Sequence, residues 1–136
     1  IQHGDLHLGN VLVHNDGESP LLIDYGNVGD MYAGYDAVAL ELGMLFHPAA
    51  KRIRQAWPTV EQARAWMDLP RYLDGCPFPA FVRACRQWAL AVAPSDRTVA
   101  ALGYVYAQRQ LRYEDTDKEL VKAIAGAALD ASSTIA

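Results

Sequence analysis

Near residue 35 the spacing of apolar residues changes from short strand-like runs to helical periodicity, which limits the fold to a small β unit followed by helices. Before this point, two apolar runs rich in β-branched residues, Val11 to His14 and Leu21 to Asp24, flank an Asn-Asp-Gly turn signal at 15–17. These runs predict a β-hairpin. From Asp36 onward, apolar residues recur three and four positions apart. The predicted fold class is therefore mainly α with a small β-hairpin.

Capping patterns predict where the helices of the second part begin and end. Asp36 is the predicted N-cap of a first helix, which Pro48 interrupts, and a Thr59–Gln62 capping box predicts a second helix to about Met67. Pro79 lies in the first turn of a third, which runs to about Val92. Ser95 or Asp96 caps a fourth to about Tyr113, and a Thr116–Glu119 capping box begins a fifth, which runs through Leu129. We expect one domain, with a hairpin region over 1–35 and a helical subdomain over 36–130.

Composition limits the partners of the chain. The net charge of −4 argues against nucleic acid, because phosphate backbones require clustered Lys and Arg. No apolar run approaches the roughly 20 residues that cross a bilayer, so we expect no membrane partner. Cys76 and Cys85 lack metal or redox spacing, and we expect both to be reduced and at least partly buried, in a cytoplasmic protein. The chain begins at Ile1 in a motif-dense stretch, and we expect a truncated N-terminus.

The first thirty residues contain a dense set of side chains suited to catalysis. The HGDLHLGN loop (residues 3–10) combines two imidazoles, a carboxylate and a carboxamide with two glycines. The predicted hairpin can bring Asn10, at its start, close to Asp24, at its exit. Because Mg²⁺ prefers oxygen ligands, we predict that Asn10 and Asp24 bind magnesium. Asp5 is the candidate base, since a carboxylate near the metal can accept a proton from an attacking hydroxyl.

The segments HGDLHLGN, LIDYGNVGD and YDAVALE together resemble the aminoglycoside phosphotransferase and choline kinase branch of the protein-kinase-like superfamily, over roughly residues 1–45. The resemblance implies the C-terminal catalytic lobe of that fold, with the catalytic loop and a metal-binding hairpin over 1–35. It implies that Asp5 is the catalytic base and that Asn10 and Asp24 bind Mg²⁺ and, through it, ATP.

The resemblance also assigns supporting roles. Asp36 matches an Asp that opens a core helix and braces the catalytic loop through hydrogen bonds to its backbone. His3 and His7 are expected to stabilise the shape of the loop rather than to bind metal. Leu8 stands where many members of the family have Pro, and Tyr25 begins an uncommon continuation after the metal-binding Asp. These departures affect the subfamily and leave the catalytic interpretation intact.

The implied activity is an ATP- and Mg-dependent O-phosphotransferase acting on a small hydroxyl-bearing acceptor. The sequence contains no glycine-rich phosphate loop and no strand lysine of the nucleotide-clamping kind, both of which lie N-terminal to the catalytic loop in this superfamily. We therefore expect that the N-terminal nucleotide lobe is absent and that the chain alone is inactive. A weaker similarity links residues 24–41 to kinase-like domains of bacterial signalling and conflict systems.

Two other functions are compatible with parts of the sequence. A pseudokinase-like binding or signalling module would keep the fold without phosphotransfer, although an intact set of predicted site residues favours activity. Metal-dependent phosphoester hydrolysis is suggested by residues 4–7, but two-metal sites need further His and Asp ligands. After His14 only His47 remains, which disfavours this alternative.

Several side chains also have structural interpretations. Asp5 can serve as a turn or cap residue, and Asp24 can form an Asx-turn because Gly26 follows it. The helical part contains many aromatic residues, which we expect to be mostly core. They are Trp57, Trp66, Tyr72, Phe78, Phe81, Trp88, Tyr104, Tyr106 and Tyr113. Acidic residues such as Glu41, Asp68 and Asp74 could contact a cationic acceptor, but a solvated surface position is favoured for each.

Overall fold

A small hairpin precedes a set of packed helices in the computed structural model, which describes residues 1–15, 17–50, 52 and 55–133. Strands β1 (Val11–Val13) and β2 (Pro20–Leu22) are antiparallel. The helices whose bounds lie in the described residues are α1 (Tyr35–Phe46), α2 (Val60–Arg64), α3 (Leu69–Tyr72), α4 (Pro79–Val92), α5 (Asp96–Gln110) and α6 (Lys118–Ser133). Short 3₁₀ turns cover Leu8–Asn10, Tyr25–Asn27 and Pro48–Ala50. The predicted mainly α class with a small hairpin is confirmed.

The hairpin is slightly shorter than predicted. Its ladder pairs Val11 with Leu22 and Val13 with Pro20. Of the predicted turn at 15–17, Asp16 lies outside the described residues, while the Gly17 N–H donates to the His14 carbonyl at 2.8 Å. The second strand ends before Asp24, because Asp24 takes a left-handed backbone conformation that no strand can continue.

Three of the predicted helix starts are confirmed. The Thr59 and Gln62 side chains form the reciprocal capping box at the start of α2. Pro79 occupies the first turn of α4, which ends at Val92 as expected. Ser95 caps α5 by accepting from the Thr98 N–H.

Two predicted caps are wrong. Gly34 is the N-cap of α1, and Asp36 lies in its first turn, because the Asp36 carboxylate is engaged with a distant part of the chain. At α6 the Asp117 carboxylate accepts from the Leu120 N–H at 3.2 Å, so Asp117 takes the capping role that was predicted for Thr116. The predicted ends also differ, since α2 stops at Arg64, α5 stops at Gln110, and α6 extends to Ser133.

Helix α1 lies at the centre of the fold. Eleven of its twelve residues are buried, since α4 and α5 pack against it. Helix α6 packs along α5 and also contacts α2. No helix in the described parts of the chain is long and apolar enough to span a membrane. Cys85 is buried, Cys76 is partly buried, and both are free thiols, as predicted.

The predicted surface position of Glu41 is wrong. Its side chain is 1% exposed, and its carboxylate accepts two hydrogen bonds from Arg86, at 2.8 and 3.0 Å. The indole N–H of Trp66 donates a third, at 2.8 Å. Because neighbouring helices cover α1, a carboxylate on this helix is buried and needs a paired cation.

Of the nine aromatics predicted to be mostly core, four are buried, two (Phe78 and Phe81) are partly buried, and three are exposed. Trp57, Trp66, Tyr72 and Tyr106 are buried. At least about a third of each of Trp88, Tyr104 and Tyr113 is exposed. The core prediction therefore holds for these four residues, and in part for Phe78 and Phe81, which pack against the core.

Gly103→Ala is expected to destabilise the protein by about 1–3 kcal/mol, the usual cost of overpacking a core. A Cβ at Gly103 would lie 2.1 Å from Cη2 of Trp66, and Trp66 is fully buried. Gly126→Ala is the matched control, because a Cβ there meets nothing within 4 Å and Ala in a helix interior stabilises by about 0.5–1 kcal/mol relative to Gly. Urea unfolding of both variants measures the difference. Equal effects of the two substitutions would contradict this packing.

Candidate active site

The HGDLHLGN loop is fixed to the start of α1 by Asp36. The Asp36 carboxylate accepts from the backbone N–H groups of His3, at 2.5 Å, and Gly4, at 2.9 Å. The Asp36 N–H in turn donates to the Gln2 side-chain oxygen at 3.1 Å. This carboxylate is 5% exposed, so charge-assisted bonds to the loop compensate its burial. These are the contacts that the family resemblance implies for Asp36.

The backbone at Gly4 allows the loop to turn toward the protein interior. Gly4 has φ +82°, and a Cβ there would lie 2.4 Å from the carbonyl oxygen of Asn27. Only glycine fits this combination of dihedral and close approach. Reciprocal backbone hydrogen bonds between Gln2 and Gly29, at 2.9 and 3.1 Å, join the start of the loop to the segment that follows the hairpin. Asp5 therefore follows a backbone position that is fixed on two sides.

Asn10 links the loop to the end of the hairpin. Its side-chain Nδ2 donates to the Asp5 carbonyl at 2.9 Å, and its own carbonyl accepts from the Ile23 N–H at 3.0 Å. Asn10 therefore lies opposite the residue that precedes Asp24. With Nδ2 engaged, Oδ1 is the atom of this amide that can bind a cation.

Asp24 has an uncommon backbone conformation. Its φ and ψ are both 62°, a left-handed region in which Asp is tolerated more often than most residues. Within the described chain, its carboxylate makes no capping hydrogen bond to the 3₁₀ turn that begins at Tyr25. The alternative of a carboxylate used only to cap this turn is therefore not supported. The Asp24 side chain is exposed at the exit of the hairpin.

His3 stabilises the loop from its buried side. Its Nε2 lies 2.9 Å from the Ile23 carbonyl, and its ring packs against Tyr25 with centroids 5.2 Å apart. His3 thus connects the start of the loop to the residues on either side of Asp24.

His7 stabilises the second half of the loop. Its Nδ1 accepts from the Gly9 N–H at 3.1 Å, and its ring stacks on His47 with centroids 4.4 Å apart. Burial and the nearby His47 lower the pKa of His7, while the carboxylates of Asp5 and Asp24 act in the opposite direction. The neutral ring that this favours is the form that can accept at Nδ1.

The predicted magnesium ligands, Asn10 and Asp24, lie on two segments that a backbone hydrogen bond from Ile23 to Asn10 joins. Across residues 1–15, 17–50, 52 and 55–133, no three or more His, Cys, Asp or Glu side chains form a group able to hold a metal ion. Asn10 and Asp24 offer one amide oxygen and one carboxylate on adjoining segments. Nucleotide-bound Mg²⁺ typically takes one or two protein oxygens and obtains the rest from phosphates and water.

A cleft of about 270 Å³ lies beside Asp5. It is formed by the HGDLHLGN loop, the end of α1 and the end of α5. Its lining residues are Asp5, His7, Phe46, His47, Pro48, Tyr106, Arg109, Gln110, Tyr113 and Asp115. The cleft has both polar and aromatic walls, an arrangement suited to a small polar molecule.

Sequence reasoning missed Arg109 as a site residue. It lies three residues before Arg112 within a helical pattern of the sequence, and that pattern carries no signal of contact with the loop. In the structure, Arg109 Nη2 lies 3.3 Å from Oδ1 of Asp5. This contact joins residues separated by 104 positions.

Comparisons of the chain with protein-family models, with curated proteins and with solved structures found no match.

Proposed function

We propose that this chain carries the catalytic residues of an ATP- and Mg-dependent O-phosphotransferase that acts on a hydroxyl group of a small molecule. The observation that carries the proposal is a connected set of hydrogen bonds through the loop. Asp36 binds the backbone before Asp5, the Asn10 side chain binds the carbonyl of Asp5, and the Asn10 carbonyl binds the residue before Asp24. This network holds the backbone around Asp5, the Asn10 side chain and the residue before Asp24, and it supports the proposal that the three residues act together.

Asp5 orients the acceptor hydroxyl and accepts its proton. The acceptor oxygen bonds to the γ-phosphorus of ATP, and the bond from that phosphorus to the β–γ bridging oxygen breaks, with its electron pair leaving on ADP. Asn10 and Asp24 would hold a magnesium ion, which when bound would supply positive charge to stabilise the phosphate oxygens. The fixed loop supports catalysis because positioning supplies most of the rate enhancement in phosphoryl transfer.

The cleft beside Asp5 is the proposed acceptor site. Its volume of about 270 Å³ lies just below the range of roughly 300–1,000 Å³ that holds drug-sized ligands, which favours a small molecule over a protein substrate. Tyr106 and Tyr113 supply an aromatic wall, and Gln110 and Asp115 supply polar groups. In the proteins that this chain resembles, a separate N-terminal lobe clamps the nucleotide, so turnover is measured in the full-length protein.

Asp24→Asn is expected to lower phosphotransfer by about 100-fold or more in the full-length protein, since even the loss of outer partners of a metal ligand costs about 10–100-fold. The amide is neutral and binds Mg²⁺ more weakly than the carboxylate. Transfer from radiolabelled ATP to a panel of small hydroxyl compounds, measured across a Mg²⁺ titration, provides the test. EDTA is expected to abolish transfer by the wild type. Asp30→Asn is the matched control, because Asp30 is an exposed carboxylate on the same segment.

The main alternative is a pseudokinase-like binding or signalling module without phosphotransfer. Full-length protein that binds MgATP but transfers no phosphate to any acceptor would favour this alternative. Transfer that is insensitive to both EDTA and Asp24→Asn would reject the magnesium site.

A further inference from the structure

Arg109 reaches the backbone and the side chain of the HGDLHLGN loop from α5. Its Nη2 lies 3.3 Å from Asp5 Oδ1, and its Nη1 lies 3.4 Å from the Gly4 carbonyl. The same Nη1 donates to the Tyr35 hydroxyl at 3.0 Å. The Arg109 and Asp5 side chains are 29% and 33% exposed, so the pair lies at the wall of the cleft and not deep in the core.

The position of this guanidinium does not depend on Asp5 alone. Tyr35 is the buried first residue of α1 and directly precedes Asp36, which binds the same loop. Helices α1 and α5 pack against each other, so the start of one and the end of the other fix both ends of the Arg109–Tyr35 contact. An ion pair between two mobile surface side chains contributes little, whereas here the cation is already positioned by the fold.

We propose that Arg109 is a positioning residue for Asp5, and this inference rests on the proposed function. Its contact with Oδ1 fixes the orientation of the carboxylate toward the cleft. With Oδ1 engaged by Arg109, Oδ2 is the oxygen that accepts the proton of the acceptor hydroxyl. Arg suits this role because its planar fork donates in several fixed directions at once.

The experiment measures kcat and KM of Arg109→Ala in the full-length protein, with Asp5→Asn in parallel. We expect kcat to fall by about 10–100-fold, because misplacement of a reacting group by about 1 Å can cost 100-fold. KM for ATP is expected to stay unchanged, since Arg109 lies on the acceptor side of Asp5. Added guanidinium ion is expected to restore part of kcat, because the cleft is open to solvent at this site.

Two further variants separate positioning from a structural role. Tyr35→Phe removes one contact of the guanidinium and is expected to lower kcat by about 2–10-fold, in the same direction but less than Arg109→Ala. Arg97→Ala is the matched control, because Arg97 is exposed at the opposite end of α5 and is expected to leave kcat unchanged. Urea unfolding of each variant shows whether a change in kcat follows a change in stability.

The outcomes distinguish this inference from the proposed function. If Asp5→Asn removes activity but Arg109→Ala does not, the positioning role is rejected and the proposed function stands. If neither substitution changes turnover, Asp5 is not the base, and the catalytic residues assigned in the proposed function are rejected as well. A crystal structure of the full-length Arg109→Ala variant tests the role of Arg109 without any measurement of turnover. A displaced or multiply oriented Asp5 carboxylate supports the role of Arg109, and an unchanged Asp5 overturns it.

Discussion

Replacement of Asp5 by Asn is expected to lower kcat for phosphotransfer by about 10²–10⁴-fold, the contribution typical of a general base, while the protein stays folded. The amide has nearly the shape of the carboxylate and can still accept from Arg109, but it cannot take the proton of an acceptor hydroxyl. The Asn10 contact uses the Asp5 backbone carbonyl, which the substitution leaves in place. Steady-state transfer from ATP in the full-length protein measures the change.

The control for Asp5→Asn is Asp74→Asn. Asp74 is an exposed Asp outside the loop, and its contact with the Gln62 side chain uses the Asp74 backbone carbonyl. This variant is expected to keep wild-type kcat. Retention of at least half of the wild-type kcat by Asp5→Asn would reject Asp5 as the base, whatever the effect of the metal-site variants.

Local sequence signals predicted the elements that depend on local physics. The Thr59–Gln62 capping box, Pro79 in a first turn and the Ser95 cap each involve atoms within a few residues of one another, so the sequence around them determines the contact. The hairpin was predicted correctly for the same reason, since its strands are close in the chain and a turn signal lies between them.

Apart from the helix ends and the cap of α6, which Asp117 provides, the predictions that failed or were missing concern contacts between distant residues. Asp is a residue type that often caps helices, but the hydrogen-bond partners of the Asp36 carboxylate lie 33 and 32 positions away, at His3 and Gly4. Glu41 looks like a surface acid until Arg86 is placed beside it, 45 positions later. No local pattern distinguishes a carboxylate that caps its own helix from one that binds a remote backbone.

The contacts of the candidate site also divide into local ones, which the sequence suggested, and distant ones, which it did not. The Asn10 contact with the Asp5 carbonyl lies within one loop, and the spacing of the motif already suggested that these residues act together. Arg109 contacts Asp5 across most of the chain, and only the packing of α5 on α1 reveals it. Where distant elements meet, a residue can belong to the site although no sequence pattern near it indicates this.

Arg86→Leu is expected to lower the free energy of unfolding by about 3–5 kcal/mol, the cost typical of removing one partner from a buried ion pair. The variant leaves the Glu41 carboxylate buried with the Trp66 indole as its remaining donor among those described above. Such a loss is a large part of the roughly 5–15 kcal/mol by which domains are stable.

The matched control for this prediction is the exposed pair of Arg64 and Glu61, whose side chains are 64% and 71% exposed and 3.1 Å apart. Arg64→Leu is expected to change stability by about 1 kcal/mol or less, because exposed ion pairs contribute little. Urea unfolding followed by circular dichroism measures both variants under the same conditions. Equal losses would mean that Glu41 obtains water or another donor when Arg86 is removed. A loss confined to Arg86→Leu would identify the Glu41–Arg86 pair as the buried contact that fixes α4 against α1, the helix that positions Asp36 and the loop of the candidate site.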